Sequence, residues 1–271
     1  MIPLSGLSSQ LALSLVDATR APQIERLRDA PEHARGIRSF RERIADVTTV
    51  EQLVEDRELY VFVMRAFDLE DQIFGKALIK RMLESDPADP AALVNRLTDP
   101  RFREMHDALG FAAGGRGNRD TARGSWQEKM VDRYLETVFI NDQAAQNAAV
   151  GAALEFRRKA AEIGNPFDIL KDRDLSGVVR RALGLPDEMA RLDIDRQADL
   201  ISSRLDIAKL KDPDEVEKIV RKYIVLSDAL DPSRVAQNAA VQMLTASAQG
   251  RFAPVLFDIT AISGLPARPY R

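Results

Sequence analysis

The stretch EDRELYVFVMRAFDL, residues 55–69, returns in altered form as KDRDLSGVVRRALGL at residues 171–185. In both copies an Asp precedes apolar residues at helical spacing. Asp56 and Asp172 are predicted N-caps, because a carboxylate there accepts the unpaired N–H groups of a first helical turn. Gly184 suits a left-handed C-terminal cap. The predicted buried faces are Leu59, Phe62, Val63, Ala66 and Phe67 in the first copy, and Leu175, Val178, Val179, Ala182 and Leu183 in the second.

The similarity extends beyond these two helices. A shift of 116 residues aligns Phe40–Asp71 with Phe156–Asp187 without a gap, and 11 of 32 positions are identical. Downstream, after an insertion or deletion, DPAALVNRL from Asp89 faces DPDEVEKIV from Asp212. The alignment predicts an internal duplication. The hexapeptide AQNAAV, which occurs twice, falls outside this alignment and is interpreted as Ala-rich helix surface.

The duplication predicts the domain organisation. We expect a single multihelical domain over residues 1–271 with two related helical units, about 31–110 and 147–226. Between them, residues 112–125 carry four glycines and three arginines in 14 positions. A flexible linker is favoured over an anion-binding loop, since the phosphate-loop patterns GxxxxGK[ST] and GxGxxG are absent from the segment.

The remaining sequence predicts an all-α fold. Aromatic residues make up only 6% of the chain, and no hairpin turn flanked by alternating apolar residues is present. Asp-Pro pairs mark several helix starts, since Asp caps a helix and Pro tolerates its first position. The predicted helices are 7–19, 31–46, 56–67, 70–85, 90–97, 100–109, 126–162 (any break being placed near Asn141-Asp142), 172–183, 195–205, 213–227 and 232–249.

Composition excludes several classes of protein. The formal net charge of −3 argues against a general nucleic-acid binder, and we expect no nucleic-acid partner. The chain has no cysteine, which excludes disulfides and thiolate catalysis. No apolar run approaches the length of a membrane-spanning helix, so no span is expected.

Residues with catalytic potential are few and scattered. His33 and His106 are the only histidines, neither has a metal-binding neighbour at characteristic spacing, and structural roles are favoured. The acidic pairs Glu70-Asp71 and Asp214-Glu215 fall at predicted helix starts, where carboxylates stabilise the helix dipole. Serines such as Ser5, Ser8 and Ser9 lack the nucleophile-elbow pattern. The sequence therefore predicts no catalytic, cofactor-binding or metal-binding residue and no cofactor, although an enzyme with a site not visible in sequence stays an alternative.

Four further side chains have two interpretations each. Trp126 and Phe111 flank the Gly/Arg-rich segment, and burial in the core or docking of the segment is favoured over a partner anchor. Arg65 and Arg181 occupy equivalent positions off the apolar stripes, and a solvated or helix-bridging guanidinium is favoured over a ligand site.

The distributed pattern also resembles a known family. The segments that carry the resemblance are FRERIADVTTVEQLVEDRELYVFVMRAFDLED, VNRLTDPRFREM, DRYLETVFINDQ, RRALGLPDEMARLDIDRQ and KDPDEVEKIVRKYIV. They are similar to an uncharacterised all-helical family, a domain of unknown function, that alphaproteobacteria encode within flagellar gene clusters. The resemblance covers roughly residues 40–226 and implies flagellar proteins as partners, but it transfers no site residue.

Function and location follow as expectations. The resemblance, together with the lack of a catalytic pattern, favours a non-enzymatic interaction or assembly protein of the flagellum. The alternative is an exported structural component of the basal body or hook region, because the N-terminus carries a stripe of Leu7, Leu11, Leu15 and Val16 that could pair with another helix. A terminal helix packed on its own domain is favoured, and so is a cytoplasmic location over export by the flagellar secretion apparatus.

Overall fold

The computed structural model describes residues 2–4, 6–118 and 120–231, and they fold mainly into helices. The chain divides into two compact units, residues 1–228 and residues 229–271. Only the first unit lies largely within the described ranges, so a single domain over the whole chain stays a prediction.

Thirteen α-helices occur in the described residues. They are α1 (Ser9–Asp29), α2 (Pro31–Ile44), α3 (Val50–Glu55), α4 (Arg57–Ala66), α5 (Lys76–Leu83), α6 (Leu93–Arg96), α7 (Pro100–Leu109), α8 (Gly124–Gln146), α9 (Ala148–Lys159), α10 (Pro166–Lys171), α11 (Arg173–Ala182), α12 (Ile194–Ser202) and α13 (Pro213–Leu230). Four 3₁₀ turns lie at Glu70–Gln72, Ala160–Glu162, Asp187–Arg191 and Ile207–Lys211. Over the same ranges, β pairing is limited to two isolated bridges. The all-α prediction is confirmed.

The long helix α8 organises the core. It packs against α4, α9 and α1, and its inner face buries Met130, Val131, Tyr134, Leu135, Phe139 and Ile140. The predicted apolar faces of α4 and α11 are buried as well, except that Leu183 is half-buried. Removal of these faces from water supplies the main stabilisation of the unit, at roughly 25 cal/mol per Å² of apolar surface.

The two repeated segments have matching local structure. At a shift of 116 residues, α3 matches α10 and α4 matches α11 in both first and last residue. Asp56 accepts hydrogen bonds from two first-turn N–H groups of α4, and Asp172 does the same for α11, which confirms both predicted caps. Asp56 also forms an ion pair with Arg43 near the end of α2, and Asp172 forms one with Lys159 at the end of α9, each at 2.7 Å. These equivalences support the duplication, whose common origin stays a prediction.

The downstream pairing differs from the predicted one. Asp89 lies in a turn, and α6 begins only at Leu93, whereas Asp99 caps α7 and Asp212 directly precedes α13. In the order of elements, the counterpart of Asp212-Pro213 is therefore Asp99-Pro100. The sequence comparison instead pairs Asp89 with Asp212, because several Asp-Pro pairs occur in this region.

Several helix limits also differ from prediction. The helix predicted at 126–162 breaks at Asn147, not near Asn141-Asp142, because the Asn147 side chain caps α9 by accepting from Ala149 and Val150. The first AQNAAV therefore spans a junction between helices. Helix α1 continues to Asp29, with Pro22 inside it, and its first turn buries Ser9 and Ala12. The helix predicted at 232–249 and the second AQNAAV lie outside the described residues.

The Gly/Arg-rich segment, residues 112–125, is hydrogen-bonded to the residues at the start of α3. The N–H of Val50 donates to the Gly115 carbonyl at 2.9 Å, and the Gly117 N–H donates to Thr48 at 2.9 Å. A Cβ on Gly115 would lie 2.7 Å from the Glu84 side chain, so only glycine fits there. The predicted flexibility of residues 112–125 stays a prediction, and α8 already begins at Gly124.

Candidate functional site

Two grooves occupy equivalent places on the repeated segments. The first groove, about 490 Å³, lies along α4 and is lined by Arg57, Val61, Phe62, Arg65 and Tyr134, among others. The second groove, about 760 Å³, lies along α11 and is lined at the equivalent helix positions by Arg173, Gly177, Val178 and Arg181, with Tyr223 from α13. The second groove is the larger of the two and is the candidate site.

Side-chain size explains the difference in volume. In the first groove, Phe62 stacks on Phe40 and on Tyr134, with ring centroids 4.4 and 4.3 Å apart. The equivalent of Phe62 is Val178, which has no ring to fill that space. Next to it, Gly177 takes the place of Val61, and a Cβ on Gly177 would meet no heavy atom within 4 Å. The smaller residues leave the second groove open.

The first groove neutralises its central cation. A side-chain oxygen of Glu70 lies 2.7 Å from the Arg65 guanidinium, and one of Glu32 lies 3.7 Å away. The hydrogen bond to Glu70 raises the pKa of Arg65 above its ordinary value. This arginine bridges structural elements, as the favoured interpretation predicted.

Arg181 occupies the same position without those carboxylates. At the shift of 116 residues, Glu70 is replaced by Pro186 and Glu32 by Ala148. Within the part of the chain that the structure describes, the contacts of the Arg181 guanidinium are the Ser227 hydroxyl at 3.2 Å and the Tyr223 ring, whose centroid lies 5.8 Å away. Neither contact carries a negative charge. The Arg181 guanidinium in this groove therefore forms no ion pair with a carboxylate in that part of the chain.

The surroundings of Arg181 are cationic and partly apolar. The groove is also lined by Lys171, Arg173 and Arg180 and by two carboxylates, Asp174 and Asp187. Lys171 pairs with Asp168, outside this lining, at 3.0 Å. Arg180 pairs with Asp187 at 3.1 Å, and the Asp187 side chain is 83% exposed, so that pair is weak. Val178 lies buried beneath the groove, whereas Leu192 and Ile194 on its rim are 40% and 54% exposed. This arrangement suits a ligand that combines carboxylates with aliphatic groups.

A buried ionic cluster supports the base of α11. The ammonium of Lys159, 9% exposed, lies 2.7 Å from Asp172 and 3.0 Å from Glu155. Burial raises the pKa of Glu155, but hydrogen bonds and charges from Arg158 and Lys159 outweigh burial and lower this pKa to about 2. The cluster is fully paired, which is typical of a structural brace between helices.

The structure gives both histidines structural contacts. His33 is half-buried, and its Nδ1 lies 2.8 Å from the Tyr134 hydroxyl. His106 is buried, with Nε2 lying 3.1 Å from the Ser85 carbonyl oxygen. Neither lines the second groove. Within residues 2–4, 6–118 and 120–231, no group of three or more His, Asp or Glu side chains is placed to hold a metal ion.

The other candidates also have local partners. Ser8 caps α1, and the buried Ser9 donates its N–H to Asp228 at 2.8 Å, while Ser5 lies outside the described residues. Phe111 is buried, and the indole N–H of Trp126 donates to the Ala108 carbonyl at 2.9 Å, as the core and docking interpretation predicted. Of the acidic pairs, Glu70 contacts Arg65, Asp71 accepts from Gln72, and Glu215 contacts Lys218, whereas Asp214 donates its N–H to the Asp212 side chain.

Sequence reasoning named Arg181 but missed what distinguishes it from Arg65. The alignment does contain a signal: the arginine is retained, but the two acidic residues that pair with it in the first segment are replaced in the second. The sequence alone does not reveal this pairing, because the partners of Arg65 come from two different elements.

Comparisons with known proteins give a family but no function. The model of a family described as a protein of unknown function, DUF1217, matches residues 66–216. The X-ray crystal structure of protein AGR_C_984 from Agrobacterium tumefaciens is similar, at 28% sequence identity and a TM-score of 0.75, over 86% of this chain and 98% of that one. A comparison with curated proteins finds no match. None of the helices in the described ranges is long and apolar enough to cross a membrane.

Proposed function

The chain belongs to the DUF1217 family of proteins of unknown function, and on that premise we propose that it is a non-enzymatic interaction or assembly protein of the bacterial flagellum. The flagellar part of the proposal is supported by the resemblance to a family encoded in flagellar gene clusters. The molecular part is supported by the second groove.

The observation that carries the molecular part is the open, cationic surface along α11. A binding site for another protein needs accessible apolar contacts together with charges that select the partner. Leu192 and Ile194 supply the first, and Arg173 and Arg181 supply the second. The first groove, filled by Phe62 and closed by ion pairs, offers neither to the same degree.

The location proposed is cytoplasmic, with export by the flagellar secretion apparatus as the alternative. Support for the first comes from α1, whose residues Ala12, Leu13 and Val16 are buried in the core of the first unit. Of the predicted stripe, Val16 is buried and Leu7 and Leu15 are half-buried, so Leu11, which is 55% exposed, is the one stripe residue left largely exposed for another helix. Fractionation of wild-type and export-defective cells tests this: protein found outside the cytoplasm only when export is intact supports the alternative.

The proposal is tested by deleting the gene and scoring swimming and filament assembly. We expect the deletion strain to lose motility and to regain it with the wild-type gene. Partners are recovered by pull-down with the full chain and compared with a variant that carries Arg181→Glu and Ile194→Asp. Normal filaments and normal swimming in the deletion strain would remove the flagellar assignment.

A further inference from the structure

The second groove has a chemistry that selects its partner. Its lining carries four cationic side chains and two carboxylates, although the chain as a whole is acidic at −3. A locally cationic surface attracts segments of opposite charge. Its occupant is therefore expected to be negatively charged.

The apolar residues narrow the class further. A small inorganic anion would contact the guanidinium groups alone and leave Leu192 and Ile194 in water. A segment with aliphatic residues on one face covers both of these exposed side chains. Acidic residues that flank this face then meet Arg173 and Arg181, whose guanidinium groups form charge-assisted hydrogen bonds with carboxylates.

We infer that the second groove binds an acidic amphipathic segment of a partner protein, with its aliphatic face on Leu192 and Ile194 and its carboxylates on Arg181 and Arg173. This inference rests on the proposed function, because it names the kind of partner that the interaction protein takes. The groove runs along one exposed side of α11, which matches binding of a helix in a groove.

The probe is a synthetic peptide of about 18 residues, long enough to form a helix, with leucine at helical spacing and glutamate elsewhere. Its binding to the full chain is measured by fluorescence anisotropy. One control peptide carries lysine in place of glutamate, and another keeps the composition but scrambles the leucine positions. We expect only the acidic amphipathic peptide to bind, and raising the ionic strength to weaken it.

Matched variants of the protein locate the site. Arg181→Gln is expected to weaken binding about tenfold, the loss of one charge-assisted contact. Ile194→Asp should weaken it by at least the same factor, and because this side chain is 54% exposed the fold is retained. Arg65→Gln, the same change in the first groove, should leave binding unchanged. Circular dichroism confirms that each variant is folded.

Four outcomes overturn the inference. They are failure of the acidic peptide to bind, binding that Arg181→Gln does not weaken, equal binding of the lysine or scrambled peptide, and competition by inorganic phosphate that abolishes peptide binding at low concentration. Self-association that Arg181→Gln abolishes, seen by sedimentation, would assign the groove to a second copy instead. In each case loss of motility in the deletion strain would still support the proposed function, so the two failures are distinguishable.

Discussion

The two repeated segments share the same short helices and caps but differ in the side chains that line their grooves. In the first, aromatic rings and glutamates close the groove along α4; in the second, Val178, Gly177, Pro186 and Ala148 occupy the equivalent places and leave the groove along α11 open. The caps, the short helices and the cap-to-cation pairs are the same in both. The difference indicates that the first segment contributes mainly stability and the second presents a surface.

The largest effect is expected from removing a stacked aromatic ring in the first segment. Phe62→Ala removes a buried ring that stacks on Phe40 and Tyr134, and it should lower the free energy of unfolding by about 4 kcal/mol. Val178→Ala, the equivalent change in the second segment, should cost about 2 kcal/mol because fewer atoms are removed. Urea denaturation measures both values. Equal costs would contradict the assignment of the larger stabilising role to the first segment.

The sequence predicted the features that the two segments share better than those in which they differ. The caps Asp56 and Asp172 and the apolar faces followed from local rules, since a cap and the helix it begins are neighbours in the chain. The break at Asn147 was missed because an Asn within Ala-rich sequence also fits a continuous helix. Asn147 caps α9 only because α9 packs closely against the end of α8, and this packing is possible because Gly151 has no Cβ to collide with Ala144.

The candidate site was predicted only as an arginine with two possible roles. Which role applies is decided by side chains from other elements: Glu32 of α2 and Glu70 for Arg65, and Tyr223 and Ser227 of α13 for Arg181. Sequence spacing does not bring such residues together. Only the tertiary arrangement shows that Arg65 pairs with two carboxylates, whereas Arg181 pairs with none among the described residues.

A second prediction concerns the cation that pairs with each cap. Lys159→Met should lower the free energy of unfolding by about 3 kcal/mol, because it leaves the Asp172 carboxylate, whose side chain is only 12% exposed, without its counter-charge. Arg43→Met in the first segment should cost about 1 kcal/mol or less, since the Arg43 side chain is 39% exposed and water screens its pair. Thermal and urea unfolding measure the two variants side by side, and the reverse order of costs would be inconsistent with the stated burial.

A third prediction uses the acidity of Glu155, which stands where the first segment has Ser39. Its pKa is lowered from 4.5 to about 2 in the folded protein, so its ionised form stabilises the fold fully above pH 4.5, and this contribution is lost as the pH falls towards 2. Glu155→Gln should therefore cost about 2 kcal/mol at neutral pH and little near pH 2.

The control for this pH dependence is Glu58→Gln in the first segment. The Glu58 side chain is 73% exposed although it pairs with Arg43, so its removal should change the unfolding free energy by less than about 1 kcal/mol. Urea denaturation at a series of pH values gives both difference curves. A cost for Glu155→Gln that does not shrink in acid would show that lost packing, rather than lost charge, explains it.

The smallest effect concerns the second residue after each repeated helix, where the backbone is left-handed in both segments. Gly184 has φ of 63°, and its counterpart Asp68 has φ of 56°. A Cβ on Gly184 would meet no atom within 4 Å, so Gly184→Ala should cost about 1 kcal/mol from backbone strain alone.

Asp68→Gly relieves the same strain but loses a hydrogen bond from Asn141 at 2.7 Å and an ion pair with Arg101 at 3.2 Å. The two effects oppose each other, and we expect a net change within about 0.5 kcal/mol. Urea denaturation of both variants tests the pair: a neutral Gly184→Ala would mean that the second segment tolerates a different helix end, and the equivalence of the two segments would then stop at the cap.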